Sequence, residues 1–150
     1  RLANELRLPL VSFIDTPGAE LSPEAEQGAI AGEIARCISW MSTMRVPTVS
    51  VLLGQGCGGG ALALLPADVV IAAENAWLSP LPPEGASAIV HGDLEHAAEM
   101  AEAQRIGAID LLENGTVHHI VPEPPGDTPE AFAKAIAAEC AAQLRDLRLR

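Results

Sequence analysis

Val46-Pro47-Thr48-Val49-Ser50-Val51-Leu52-Leu53 runs into Gly54-Gln55-Gly56-Cys57-Gly58-Gly59-Gly60 and then into Ala61-Leu62-Ala63-Leu64-Leu65, and this stretch decides the fold. The first run is β-branched and apolar, the pattern of a strand covered on both faces. The last is a short helix, cut by Pro66. Between them lies a loop in which five of seven residues are glycine. Glycine permits positive φ and lets another molecule approach the backbone closely. The helix that follows offers unpaired N–H groups and the positive end of its dipole. Such a place suits an anion or a developing oxyanion. A tight strand–helix crossover with no ligand is the plainer alternative. A phosphate-binding P-loop needs Lys and then Ser or Thr at its end, but Ala61-Leu62 stand there. A dinucleotide fingerprint is met at Gly54, Gly56 and Gly59, with Glu74 at the end of the next strand. Against it, Pro66 cuts the helix after barely two turns, whereas a Rossmann helix packs a longer face on its sheet. A third site type is an oxyanion hole of backbone N–H groups at the helix start.

Working outward, strands and helices alternate, which predicts an α/β fold with covered parallel strands. Upstream, residues 1–8 read as the last turns of a helix stopped by Pro9. Residues 10–14 read as a strand covered on both faces, and Asp15-Thr16-Pro17-Gly18 as its closing turn, with Asp15 bracing its own turn. Ser22-Pro23-Glu24 begins a helix reaching about Met44, with Ile30, Ile34, Cys37, Ile38 and Met41 on one face. Downstream, residues 68–73 and 77–79 read as strands, and 81–85 as a loop. Residues 85–91 and 94–106 read as helices, the second ending at Gly107 as a C′ residue. Leu111-Leu112 and residues 117–121 flank an Asn114-Gly115 turn. Thr128-Pro129-Glu130 caps a final Ala-rich helix to about Leu147.

The chain has 150 residues, which suits one domain. Nine Lys and Arg stand against 20 Asp and Glu, for a net charge of −11. Nucleic acid and anionic membranes are therefore not expected as partners, because both need clustered cations. No apolar run reaches the roughly 18 residues of a membrane span. The opening Arg1-Leu2-Ala3-Asn4-Glu5 reads as a cut into a longer chain. Cys37, Cys57 and Cys140 are odd in number and contain no CxxC pair, so reduced cytoplasmic thiols are expected, with no zinc site.

Pro9-Leu10-Val11-Ser12-Phe13-Ile14-Asp15-Thr16-Pro17-Gly18-Ala19 resembles the signature of the carboxyltransferase component of acetyl-CoA carboxylase. The resemblance is to its alpha-type half, equivalent to the C-terminal domain of single-chain acyl-CoA carboxylase beta subunits. The order of later segments agrees: residues 24–36, Arg45-Val46-Pro47, residues 54–62, Ser79 with Pro83-Glu84-Gly85-Ala86-Ser87, and Ile120-Val121-Pro122-Glu123-Pro124. The resemblance covers nearly the whole chain. It implies a crotonase-type superhelix of ββα units whose first units lie outside residues 1–150. It implies carboxyl transfer from carboxybiotin to an acyl-CoA, with acetyl-CoA to malonyl-CoA the first expectation. Biotin would arrive on a carrier protein and would not be attached to this chain; no metal is expected. The partners implied are the beta-type half, which holds most of the CoA, the biotin carboxyl carrier protein and the acyl-CoA, in a homo-dimer or larger oligomer.

The same resemblance implies that the N–H groups of Gly60 and Ala61 form the oxyanion hole, with Gly59 as the close-approach residue. Gly56, Cys57, Gly58 and Gly59, with Pro17, Gly18 and Ala19, would receive biotin. Pro83, Glu84, Gly85 and Ala86 form a possible site loop. Two departures stand out: Glu20-Leu21-Ser22 replaces the usual continuation after Thr-Pro-Gly, and Leu81-Pro82 looks like an insertion. They motivate an alternative, a non-catalytic assembly domain of the same fold. A crotonase-type hydratase or hydrolase using Glu84 is another, although Glu84 also reads as a helix-capping carboxylate. Cys57 reads as a small filler rather than a nucleophile. His91, His96, His118 and His119 read as surface or satisfied residues.

Overall fold

The structure, a computed structural model, describes residues 1–19, 22–126 and 128–149. Its centre is β2, Thr48–Cys57, a strand of ten residues with neighbours on both edges. On one edge runs β1, Leu10–Thr16. On the other, β3 (Val69–Ala73) pairs with residues 49–52 of β2, and β4 (Trp77–Ser79) pairs further on with residues 55–57. The last strand, β5 (His119–Val121), lies outside β3. Every strand pair is parallel.

Period-two alternation explains the two core layers. Val49, Val51, Val69 and Ile71 face one side and pack with Val121, Ile136 and Cys140. Leu52, Val70 and Ala72 face the other and pack with Ile14, Ala61, Ala76, Leu78, Ala108 and Leu111. The long helix α8, Pro129–Arg148, covers the first layer. Thr128 caps it, accepting the Ala131 N–H at 3.2 Å, as the Thr-Pro-Glu sequence predicts. The second layer is covered by α4 (Gly58–Leu64) and α7 (Ala108–Glu113). Both are rich in alanine and leucine, so the helices sit close to the sheet.

Several expectations need correction. Strand β1 is at the sheet edge and is not covered on both faces: Phe13 is 56% exposed. The helix expected over residues 22–44 is two helices, α2 (Pro23–Gln27) and α3 (Ile30–Ser42). Gly28 ends the first, and Ala29 takes a left-handed conformation at φ 58. Ser22 does cap α2, accepting the Ala25 N–H at 3.1 Å. The expected loop at 81–85 is shorter, because α5 spans Pro83–Val90 and begins on its own proline. The helix α6 spans Ala97–Gln104 and ends at Arg105, which is left-handed. Gly107 is therefore the N-cap of α7 rather than the stop of α6. Leu111-Leu112 lies within α7 and pairs with no strand, so residues 117–121 form no hairpin and instead extend the parallel sheet.

Leu52 is fully buried in the second layer, and truncating it leaves a cavity. Leu52→Ala is expected to cost about 2–5 kcal/mol of unfolding free energy, read from the midpoint of a urea titration.

Candidate functional site

Strand β2 does not stop at Leu53. Its hydrogen-bonded course continues through Gly54, Gln55, Gly56 and Cys57, and α4 starts at once on Gly58. The stretch expected to be a glycine loop is thus half strand and half helix. Glycine permits this because neighbours crowd the strand on both sides. A Cβ on Gly56 would lie 2.6 Å from Leu52 Cδ1 and 2.9 Å from the Trp77 carbonyl oxygen. The turn into the helix needs φ +65 at Gly58, where L side chains are strained.

The early helix start moves the available donors. With Cys57 as N-cap, the first main-chain bond of the helix runs from the Ala61 N–H to the Cys57 carbonyl. Ala61 is fully buried, and its N–H is engaged by the helix. The N–H groups without an intrahelical acceptor belong to Gly58, Gly59 and Gly60. Cys57 contributes no side-chain cap.

Three segments meet at this turn. The turn after β1 brings Gly18 against Cys57: a Cβ on Gly18 would be 3.7 Å from Cys57 Sγ. A Cβ on Gly60 would be 3.8 Å from the Ala19 nitrogen and 3.9 Å from Thr16 Cγ2. A Cβ on Gly58 would be 3.8 Å from both Gly18 Cα and the Pro80 oxygen. Gly18 and Ala19 therefore lie against the glycine turn, while Pro17 is exposed at the outside of its bend. Thr16 Oγ1 shapes that bend, accepting the Gly18 N–H and donating to the Gly18 carbonyl, both at 3.2 Å. Beyond Ser79, the hydroxyl of that residue donates to the Leu81 carbonyl at 2.6 Å and holds the Leu81-Pro82 turn. The Glu20-Leu21 departure lies outside the described residues.

The expected site loop at 83–86 is the first turn of α5. Pro83 and Ala86 are buried, Gly85 is half-buried, and Glu84 is exposed. Burial pushes the Cys57 thiol up, and the nearby Glu84 carboxylate pushes it further. A thiol so placed is a poor nucleophile at neutral pH. Asp15 does not brace its own turn; its Oδ1 accepts the Gln55 N–H across the sheet at 3.0 Å. Nor does Glu74 face a nucleotide ribose. Its carboxylate accepts the Glu123 N–H at 2.8 Å, and Glu123 in return accepts the Asn75 N–H at 3.0 Å.

The sequence reading missed one cluster. The turn between α5 and α6 stacks the rings of His91 and His96 at 4.1 Å, and His96 Nδ1 lies 2.9 Å from Asp93 Oδ1. That hydrogen bond raises the His96 pKa and lowers that of Asp93. Only the loop path between two helices could have revealed it. Among the described residues, no three His, Cys, Asp or Glu side chains converge as metal ligands.

A family model described as "Acetyl co-enzyme A carboxylase carboxyltransferase-like" matches residues 1–149. The chain is 56% identical, over 98% of its length, to a protein of Mycobacterium tuberculosis named "Probable biotin-dependent acyl-coenzyme A carboxylase beta3 subunit", covering 30% of that protein. It is 43% identical, over 97% of its length, to an "Acetyl-coenzyme A carboxylase carboxyl transferase subunit alpha" of Deinococcus radiodurans, covering 47% of it. The chain thus spans less than half the length of these relatives. Among solved structures, a Pseudomonas malonate decarboxylase hetero-tetramer superposes with TM-score 0.79 at 16% identity, covering 97% of this chain and 61% of that one. Transcarboxylase 12S superposes with TM-score 0.71 at 24% identity, over 93% of this chain and 29% of that one. The fold is of the crotonase type expected from the sequence.

Two outcomes are expected. Gly56→Ala, which drives a methyl group toward the Trp77 carbonyl, loses about 1–3 kcal/mol of stability by thermal or urea unfolding. In the native protein at pH 8, iodoacetamide labels the half-exposed Cys37 at least about tenfold faster than the buried Cys57, as peptide mass spectrometry will show.

Proposed function

The chain belongs to the acetyl-coenzyme A carboxylase carboxyltransferase family, and from that premise we propose that it is the alpha-type, biotin-side carboxyltransferase domain of an acyl-CoA carboxylase. The observation that carries this reading is the strand running directly into a helix whose first three residues are glycine, faced by the turn at residues 16–19. The N–H groups of Gly59 and Gly60 serve as the oxyanion donors. Gly60 keeps the role given to it by the sequence; Gly59 replaces Ala61, whose N–H the helix uses.

The donor set suits the biotin ureido group. It consists of main-chain N–H groups on residues that carry no side chain of their own, with Ile34 packed against Gly59, and the thiol beside them is held protonated. Carboxybiotin, arriving on its carrier protein, supplies the carboxyl group and, once that is lost, a ring nitrogen able to take the acyl-CoA α-proton. With both the carboxyl donor and the proton acceptor on the biotin, no side-chain base would be required of this chain. What the chain does is hold the two N–H donors where negative charge gathers on the ureido oxygen. Fixed main-chain dipoles need no reorganisation as that charge develops. Gly18, Ala19 and Pro80 crowd the turn and limit water around it.

The acyl-CoA, with acetyl-CoA the first choice, is held mainly by a beta-type partner half. Transfer takes place where the halves meet, in an oligomer of the cytoplasm that serves fatty acid synthesis. The name of the mycobacterial relative supports biotin dependence, and that of the Deinococcus relative supports acetyl-CoA.

Gly60→Pro tests the donor role. Proline is tolerated in the first turn of a helix, where it removes only an N–H that the helix does not use. In the full-length protein assembled with its partner half, carboxyl transfer from malonyl-CoA to biocytin is expected to fall about 10²–10³-fold. Unchanged turnover in a folded Gly60→Pro complex would overturn the mechanism. Absence of transfer by the wild-type complex, from malonyl-CoA or methylmalonyl-CoA, would favour an assembly domain.

A further inference from the structure

We propose that Asp15 is a positioning residue of this site, holding the turn at residues 16–19 in register with the glycine turn at residues 56–60. The inference deepens the carboxyltransferase reading and rests on it for its effect on turnover. The ladder between β1 and β2 runs one-to-one from Leu10↔Thr48 to Ile14↔Leu52. The next pair is Thr16↔Gly56. While β1 advances by two residues, β2 advances by four, so β2 carries surplus residues opposite Asp15. A bulge of this kind leaves main-chain groups without ladder partners.

Asp15 fills the gap. Its Oδ1 accepts the Gln55 N–H at 3.0 Å, in place of the main-chain acceptor that the bulge removes. The carboxylate reaches Gln55 by passing over Gly54. A Cβ on Gly54 would lie 2.9 Å from Oδ1, closer than real contacts allow, so glycine there and aspartate at 15 form a matched pair. The adjacent residue, Thr16, turns its hydroxyl to Gly18 and its methyl toward Gly60. Two consecutive residues of β1 thus hold both walls: Asp15 fixes where β2 ends, and Thr16 fixes the turn that covers it. Loss of the Asp15 acceptor frees the Gln55 N–H, five residues before the Gly60 donor. The bulge can then relax, and the donors shift relative to Gly18 and Ala19. A displacement of well under an ångström already weakens a preorganised site.

Asp15 is exposed, so water screens its charge, and the useful property is the acceptor oxygen. Asparagine retains that oxygen at the same reach; alanine does not. The test uses the full-length protein carrying this chain, assembled with its partner half, with two readouts: steady-state carboxyl transfer, and hydrogen exchange of peptides read by mass spectrometry. Asp15→Ala is expected to speed exchange at residues 54–60 about tenfold while residues 129–148 stay protected. Its kcat is expected to fall about 10–100-fold, with KM for the acyl-CoA within about twofold. Asp15→Asn is expected to restore both to within about threefold of wild type.

Wild-type exchange and kcat in Asp15→Ala would overturn the proposal. So would an Asp15→Asn protein as slow as Asp15→Ala with normal exchange, since the carboxylate would then be acting chemically. If Asp15→Ala does not assemble, Gly54→Ala takes its place, because the added methyl displaces the carboxylate from Gln55; unchanged exchange there would equally overturn it. If the wild-type complex transfers no carboxyl group, the carboxyltransferase reading fails alone, and the exchange measurement still decides the role of Asp15.

Discussion

No side chain fits at position 56, and much of the molecule follows from that. Strand β2 is wedged between β1 on one edge and β4 on the other, with Leu52 and Leu78 closing over it. Only a backbone without Cβ can continue through that gap as a strand. Because it continues, β2 delivers Cys57 to the edge of the core in an extended conformation, ready to be the N-cap of α4. Gly58 then bends the chain in a conformation that costs other residues strain. The helix therefore begins three residues earlier than its alanines suggest, and the N–H groups of its first three glycines have no intrahelical acceptor.

A site built this way does little chemistry with side chains. Main-chain donors keep their charge distribution at every pH, so the aligned dipoles are available without a proton having to be placed. The titratable neighbours fit that picture. Cys57 is buried and held in its neutral form. Asp15 is taken up by a main-chain bond, and Glu84 stands exposed at the start of α5. The rest of the acidic surface lies on outer helices and loops, where Arg105 with Asp110 and Glu113, and Glu74 with Glu123, tie connections together. The exposed ion pairs of Arg105 contribute little to stability; the two-layer aliphatic core carries the fold.

How far the sequence could be read differs by element. The helix caps Ser22 and Thr128 were legible, since each is a local pattern of a hydroxyl residue followed by Pro and Glu. The strands β2, β3 and β4 were legible as apolar runs. The break at Ala29 was not, because a single glycine, Gly28, separates the Ser22-Pro23 helix start from the apolar stripe that begins at Ile30. Helix α7 was not legible, because Leu111-Leu112 beside Asn114-Gly115 imitates a strand running into a turn; the i to i−4 bond from the Leu111 N–H to the Gly107 carbonyl at 3.0 Å makes the segment a helix. The stacked histidines and the Glu74–Glu123 clasp join residues through the path of intervening loops, which no periodicity encodes.

By itself the sequence determined an α/β chain of parallel strands, a glycine-rich strand-to-helix junction and the family to which both belong. These are properties of local pattern and composition: apolar alternation, capping residues and the absence of Cβ atoms. Only the tertiary structure decided which N–H groups the helix leaves without an acceptor, because that depends on where β2 stops pairing, and its partners β1 and β4 come from distant parts of the chain. It also decided that Asp15 serves β2 rather than its own turn. The reason is the same in both cases: a hydrogen bond across a parallel sheet is fixed by register, and register follows from the packing of whole strands rather than from any residue's own preference.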